Sequence, residues 1–144
     1  MMRIGTILIG GAVTALAIWP ASATMHVTND RGGQLGPYLD RLTQLVNSGQ
    51  RVAIDGPCLS ACTLLLGVIP RERLCVTHRA RLGFHAAWRP DEAGRQVTSP
   101  EGTQLMMTIY PQEIRDWIAR HGGLTSHMMY LTGRELAAKY PACK

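Results

Sequence analysis

The sequence predicts a single compact α/β domain with a mostly parallel sheet, βαβ units and short C-terminal helices. β-prone segments alternate with segments of helical periodicity, glycine turns separate them, and no internal repeat or low-complexity stretch interrupts the order. Alternation of this kind implies crossover connections, and it places ligands at the carboxyl ends of the strands.

Residues 1–23 differ from everything after them. Arg3 precedes an apolar run from Ile4 to Trp19 and a small-residue exit, Pro20-Ala21-Ser22-Ala23. That is the pattern of a secretory signal peptide cleaved before Thr24; an uncleaved anchor is the competing reading, because the run is long for a signal. Residues 24–144 suffice for one α/β domain and are too few for two. The expected location is the periplasm or the exterior, free of the membrane once the signal is removed.

In the remainder, Met25 to Thr28 reads as a strand ending in the turn Asn29-Asp30-Arg31-Gly32-Gly33. Tyr38, Leu42, Leu45 and Val46 recur at helical spacing until Asn47-Ser48-Gly49 stops them. Arg51 to Asp55 is a second strand, Gly56-Pro57 breaks it, and Leu59 to Gly67 reads as an apolar helix. Cys75 to Thr77 and Leu82 to His85 follow as short strands, then a polar surface excursion from Trp88 to Ser99. Ser99-Pro100-Glu101 has the form of a helix start, with a capping serine, a proline at the first helical position and an acidic first turn. Pro111 opens another helix that stops at Gly122-Gly123, and Thr132 to Tyr140 is the last.

Lys and Arg number 15 against 10 Asp and Glu, a mild excess. The basic residues are scattered and not interleaved with aromatics, which argues against a nucleic-acid partner. Cys58, Cys62, Cys75 and Cys143 make an even set after the signal, and in an oxidising compartment this favours two disulfides. A zinc site or a thiol-redox pair fits the Cys58-x3-Cys62 spacing less well.

Ser60 falls where a strand gives way to a helix, between Gly56 and the small Ala61, a setting that exposes a hydroxyl beside free backbone N–H groups. A serine there equally serves as a helix cap. His85 ends a later strand between Phe84 and Ala86, where an imidazole can take the serine proton or simply bond to backbone. Gly32-Gly33 offers either a second oxyanion donor or a tight turn.

The run Gly56-Pro57-Cys58-Leu59-Ser60-Ala61 with Leu64-Leu65, followed 25 positions after Ser60 by the strand Leu82-Gly83-Phe84-His85, resembles the proteolytic subunit of the Clp protease. Asn29-Asp30-Arg31-Gly32-Gly33 resembles that family's oxyanion turn, and Tyr130-Leu131-Thr132-Gly133-Arg134-Glu135-Leu136 with Ala137 to Tyr140 resembles its closing element. The likeness covers nearly all of Met25 to Tyr140, and it looks closest to periplasmic Clp-like proteins. It implies a crotonase-superfamily domain acting as a serine peptidase or esterase. Ser60 would be the nucleophile, His85 the base, and the N–H groups of Gly33 and Ala61 the oxyanion donors; no cofactor is needed. The family's aspartate position is occupied here by Met128, so a dyad, a carboxylate from elsewhere such as Asp30 or Asp116, and an inactive binding or assembly module of the cell envelope all stay open. The segment between His85 and the closing element is also shorter than the family's helical handle, so a fourteen-subunit chamber is not implied. Partners on this reading are a peptide or ester substrate, a protein segment or further copies of the chain. On the Clp-like plan the implied pairing is Cys62 with Cys75 and Cys58 with Cys143, with Cys58–Cys62 as the main alternative.

Overall fold

A computed structural model describes residues 23–144; the expected signal peptide, apart from Ala23, lies outside the described residues. In chain order the first half runs β1 (Thr24–Val27), α1 (Leu35–Asn47), β2 (Arg51–Ile54), β3 (Pro57–Leu59), a 3-10 turn (Ser60–Leu64), α2 (Leu65–Val68), β4 (Leu74–Val76) and β5 (Arg81–Phe84). The second half runs β6 (Trp88–Pro90), β7 (Gln96–Thr98), α3 (Pro100–Ile109), α4 (Gln112–Arg120), β8 (Met129–Thr132) and α5 (Gly133–Ala137).

The single, mostly parallel sheet of a crotonase-like domain does not form. The strands divide into a parallel sheet ordered β1-β2-β4, a mixed sheet ordered β3-β5-β8 and the two-stranded antiparallel ribbon β6-β7. Gly56 causes the division. A Cβ there would strike the carbonyl of Thr28, so only glycine lets the chain bend away from β2 at that point. Pro57 then starts β3 instead of merely ending β2, a position where its missing N–H costs no ladder bond. The backbone after β1 makes the same crossing, since Asp30 N–H donates to Pro57 O at 2.8 Å and Leu59 N–H to Asp30 O at 2.8 Å. β8, of which only Thr132 falls in the expected closing helix, returns antiparallel to β5.

The helices pack by their apolar periodicity. α4 buries Ile114, Trp117 and Ile118, three and four residues apart on one face. Phe84 of β5 meets Tyr110 and Trp117 with ring centroids 5.5 and 5.4 Å away, so the mixed sheet and the C-terminal helices share one core. The expected start of α3 is present: Ser99 Oγ accepts from Gly102 N–H at 3.1 Å, with Pro100 in the first turn. No helix among the described residues is long and apolar enough to cross a membrane.

Arg73 anchors α1 to the sheet that follows it. Its guanidinium donates to the carbonyls of Gln50, Val46 and Leu45 at 2.8, 3.1 and 3.1 Å, placing a cation at the negative end of the helix. We expect Arg73→Met to keep the stem packing and cost about 1–3 kcal/mol, from the lost charge-assisted bonds. Urea unfolding reads this directly, and a change below about 0.5 kcal/mol contradicts the anchoring role.

Candidate active site at Ser60 and His85

Ser60 opens the 3-10 turn with φ +57°, and it is the only non-glycine with positive φ among the described residues. The left-handed region costs an L side chain roughly 1–2 kcal/mol and is left mostly to glycine and asparagine. The helix-cap explanation of Ser60 does not apply, because no side chain caps this turn. Three features hold the unfavourable conformation in place. The Cys58–Cys62 disulfide closes over it with Cα atoms 5.3 Å apart. Thr63 Oγ1 donates to Ser60 O at 2.7 Å, and because that hydrogen is committed, Tyr110 must donate to Thr63 at 2.6 Å. Burial pushes the Tyr110 hydroxyl well above its ordinary range, so it remains protonated and a donor.

The third feature is Gly32, at φ +80°. A Cβ on it would lie 2.6 Å from Leu59 O, 2.7 Å from Ala61 N and 3.0 Å from Ser60 Cβ. Glycine is thus required both for the turn and for the close approach to Ala61 N–H, which has no backbone acceptor among the described residues. The resemblance implies Gly33 as the second oxyanion donor. Gly33 follows directly, exposed and with nothing near its Cβ direction, while Gly32 makes the contact with the Ser60 turn.

His85 stands one residue beyond β5. Leu59 of β3 pairs in parallel with Gly83 of β5, so Ser60 and His85 leave neighbouring strands at the same carboxyl end. No hydrogen bond joins them in this structure. His85 Nδ1 is 2.7 Å from Ala86 O, and since a carbonyl only accepts, Nδ1 carries a proton and Nε2 is the lone-pair nitrogen of the neutral ring. Tyr140 Oη is the only buried side-chain polar atom without a partner among the described residues, so Ser60 Oγ and His85 Nε2, also unpartnered, are not fully buried.

Neither carboxylate expected as a third member is at His85. Asp30 Oδ1 accepts from Gly32 N–H at 2.8 Å and Oδ2 from the Tyr38 hydroxyl at 2.7 Å. Asp30 therefore shapes the glycine turn and leaves the histidine to a carbonyl. Burial and the Asp30 bond both push the Tyr38 hydroxyl upward, so it stays a donor. Asp116 lies on α4 and accepts from Gln112 at 2.6 Å. The residue at the family's aspartate position, Met128, shares a cleft with His85. In the β5-β8 register Phe84 opposes Met129, and His85 and Met128 each follow just beyond that last pair. Both line a cleft of about 340 Å³ together with Ala86, Trp88, Gln96, Val97, Thr98 and Ser126.

The disulfides correct the implied pairing. The bonds are Cys58–Cys62, the alternative, and Cys75–Cys143, with Cα atoms 5.3 and 4.9 Å apart. The 3-10 turn brings Cys62 back over Cys58, and the C-terminal tail runs beside β4, where Val76 bridges Ala142. All four thiols are consumed, and no cluster of three metal-ligating side chains occurs among the described residues. No protein-family model matches the chain, and no curated protein matches it.

Proposed function

We propose that the chain is an exported serine hydrolase in which Ser60 is the nucleophile and His85 the general base. The observation that carries this reading is Ser60 itself, held at φ +57° with an unpartnered, incompletely buried Oγ by a disulfide, a buried Thr63–Tyr110 pair and a close glycine. Unfavourable backbone geometry enforced from several sides is characteristic of functional turns. The short-range likeness to the Clp proteolytic subunit supports the same two roles, and two disulfides fit an oxidising compartment, periplasmic or secreted.

In the proposed reaction Ser60 Oγ attacks the acyl carbon and gives its proton to His85 Nε2. The N–H of Ala61, with Gly33 N–H as second donor, takes the charge on the carbonyl oxygen. His85 returns the proton to the departing group, and water then releases the acyl-serine by the same route in reverse order. His85 is kept in the useful tautomer by Ala86 O, a neutral dipole that stabilises the imidazolium less than a carboxylate would. Turnover is accordingly expected to be slow.

A fluorophosphonate probe tests the reading, with peptide mapping of the labelled site. The expected result is one adduct on Ser60, absent in Ser60→Gly. That variant should also melt higher by roughly 2–5 °C, because relief of the left-handed cost exceeds the extra chain entropy of glycine by about 0.5–1 kcal/mol. A stabilising change that abolishes labelling marks a residue retained for chemistry. Absence of any adduct on Ser60 in the oxidised protein removes the hydrolase reading and leaves a binding or assembly module of the cell envelope.

A further inference from the structure

The cleft beside His85 is lined by His85 and not by Ser60. In an acyl transfer by this pair, the group on the histidine side is the one that receives the proton and departs, while the acyl group stays on the serine. The chemistry of the cleft wall therefore bears on the leaving group. Besides His85 it contains no ionisable side chain: it presents the amide of Gln96, the hydroxyls of Thr98 and Ser126, the apolar Val97 and Met128, and Trp88. Trp88 is 51 % exposed although it stands on the β6-β7 ribbon at the rim of the cleft. An aromatic surface left open beside neutral hydrogen-bonding groups suits a ligand with one apolar face and several hydroxyl or amide groups. A charged leaving group would be stripped of water there with no counter-charge to meet it.

The orientation of His85 narrows the reaction further. Expulsion of an amine requires a proton fully delivered by a well-stabilised imidazolium, whereas an alkoxide departs with less assistance. With only Ala86 O behind Nδ1, the pair is better matched to an ester than to an amide. We infer that the cleft of His85, Trp88, Gln96, Thr98 and Ser126 is the leaving-group site of an esterase, selective for esters of uncharged, hydroxyl-bearing alcohols that stack on Trp88. This rests on the hydrolase reading. The volume of about 340 Å³ has room for on the order of ten water-sized groups, enough for one substituted ring. The balance is that of hydrolysis. Ser60 Oγ bonds to the acyl carbon as the bond from that carbon to the alcohol oxygen breaks, and that oxygen leaves with the proton carried by His85. Water then replaces Ser60 on the acyl carbon, and its proton restores the serine hydroxyl.

The test uses the oxidised protein and aryl acetates that share one acyl group: 4-(hydroxymethyl)phenyl, 4-carboxyphenyl and 4-(trimethylammonio)phenyl acetate. Intrinsic reactivity cancels when the ratio of kcat/KM values is compared between the parent and Trp88→Ala, with Trp88→Phe as the conservative variant. The expected result is a preference of tenfold or more for the neutral hydroxylated ester, lost in Trp88→Ala and largely kept in Trp88→Phe. Ester turnover with Ser60 labelled, but with no neutral preference or a preference that Trp88→Ala leaves intact, overturns the leaving-group assignment while the hydrolase reading stands. Faster cleavage of the matching 4-(hydroxymethyl)anilide than of the ester overturns the esterase assignment. No labelling of Ser60 and no turnover of any ester removes both.

Discussion

Met128→Asp should raise ester hydrolysis by about 10- to 100-fold over the parent, and Met128→Asn should not. Met128 and His85 lie just beyond the last pair of the β5-β8 ladder, Phe84–Met129, and line the same cleft. A carboxylate brought into that cleft beside the imidazole favours its protonated form. The missing carboxylate of a serine triad is worth about 10⁴ in turnover when the geometry is ideal, so a fraction of that is expected from an unrefined position. The pH profile provides a second readout. The neutral imidazole is the active base, and a new negative charge raises the pKa of His85, so the limb on which kcat/KM climbs with pH should move to higher pH in the Asp variant alone. The substitution removes the contact of Met128 Sδ near Gly83 and should cost about 1–2 kcal/mol of stability. A folded Met128→Asp protein with unchanged turnover and pH profile contradicts the place of Met128 as the missing third position beside His85.

Much of this site was legible in the sequence, but not its third dimension. β2 and β5 show as short apolar runs, and α1, α3 and α4 as helical periodicities with recognisable starts and stops, whereas β3 falls where the sequence reads a break and a helix start. Serine carries no signal for positive φ, so the conformation that distinguishes Ser60 from a helix cap depends on Cys62, Thr63, Tyr110 and Gly32 closing around it. Met128 illustrates the same limit. Its place in the cleft of His85 depends on the β5-β8 pairing, and β8 has four residues of which only Leu131 is buried, too few for an alternation to show. Asp30 is one of the two carboxylates expected as a possible partner for His85. The turn folds Asp30 back on its own Gly32 and on Tyr38, an Asx-type arrangement that local sequence supports and a longer-range reading overlooked. The split into two sheets has a similarly local cause, the approach of Thr28 O to Gly56, that neither residue announces by type.

The two disulfides should separate stability from reactivity. Cys75–Cys143 spans 68 positions and Cys58–Cys62 only four. On loop-closure entropy the long bridge contributes about 4 kcal/mol and the short one about 2 kcal/mol. The long bridge also holds the tail along β4, where Val76 N–H donates to Pro141 O at 2.9 Å and Cys143 N–H to Val76 O at 3.1 Å, covering the edge of the parallel sheet. Replacing Cys75 and Cys143 by serine should therefore lower the melting temperature by roughly 10–20 °C and expose that edge to self-association. Ser60 should still react with a fluorophosphonate below the transition, because the long bridge does not touch its turn. Replacing Cys58 and Cys62 should lower the melting temperature less, yet slow labelling of Ser60 the more, since the left-handed turn then loses the bond that closes over it. Access to reductant should follow the same division: Cys58 and Cys62 are fully buried, while Cys75 and Cys143 are partly open, so mild reduction opens the long bridge first. Thermal unfolding and labelling rates measured on both double variants decide the matter. Equal loss of labelling from both variants, at temperatures where both are folded, contradicts a specific role for Cys58–Cys62 in holding Ser60.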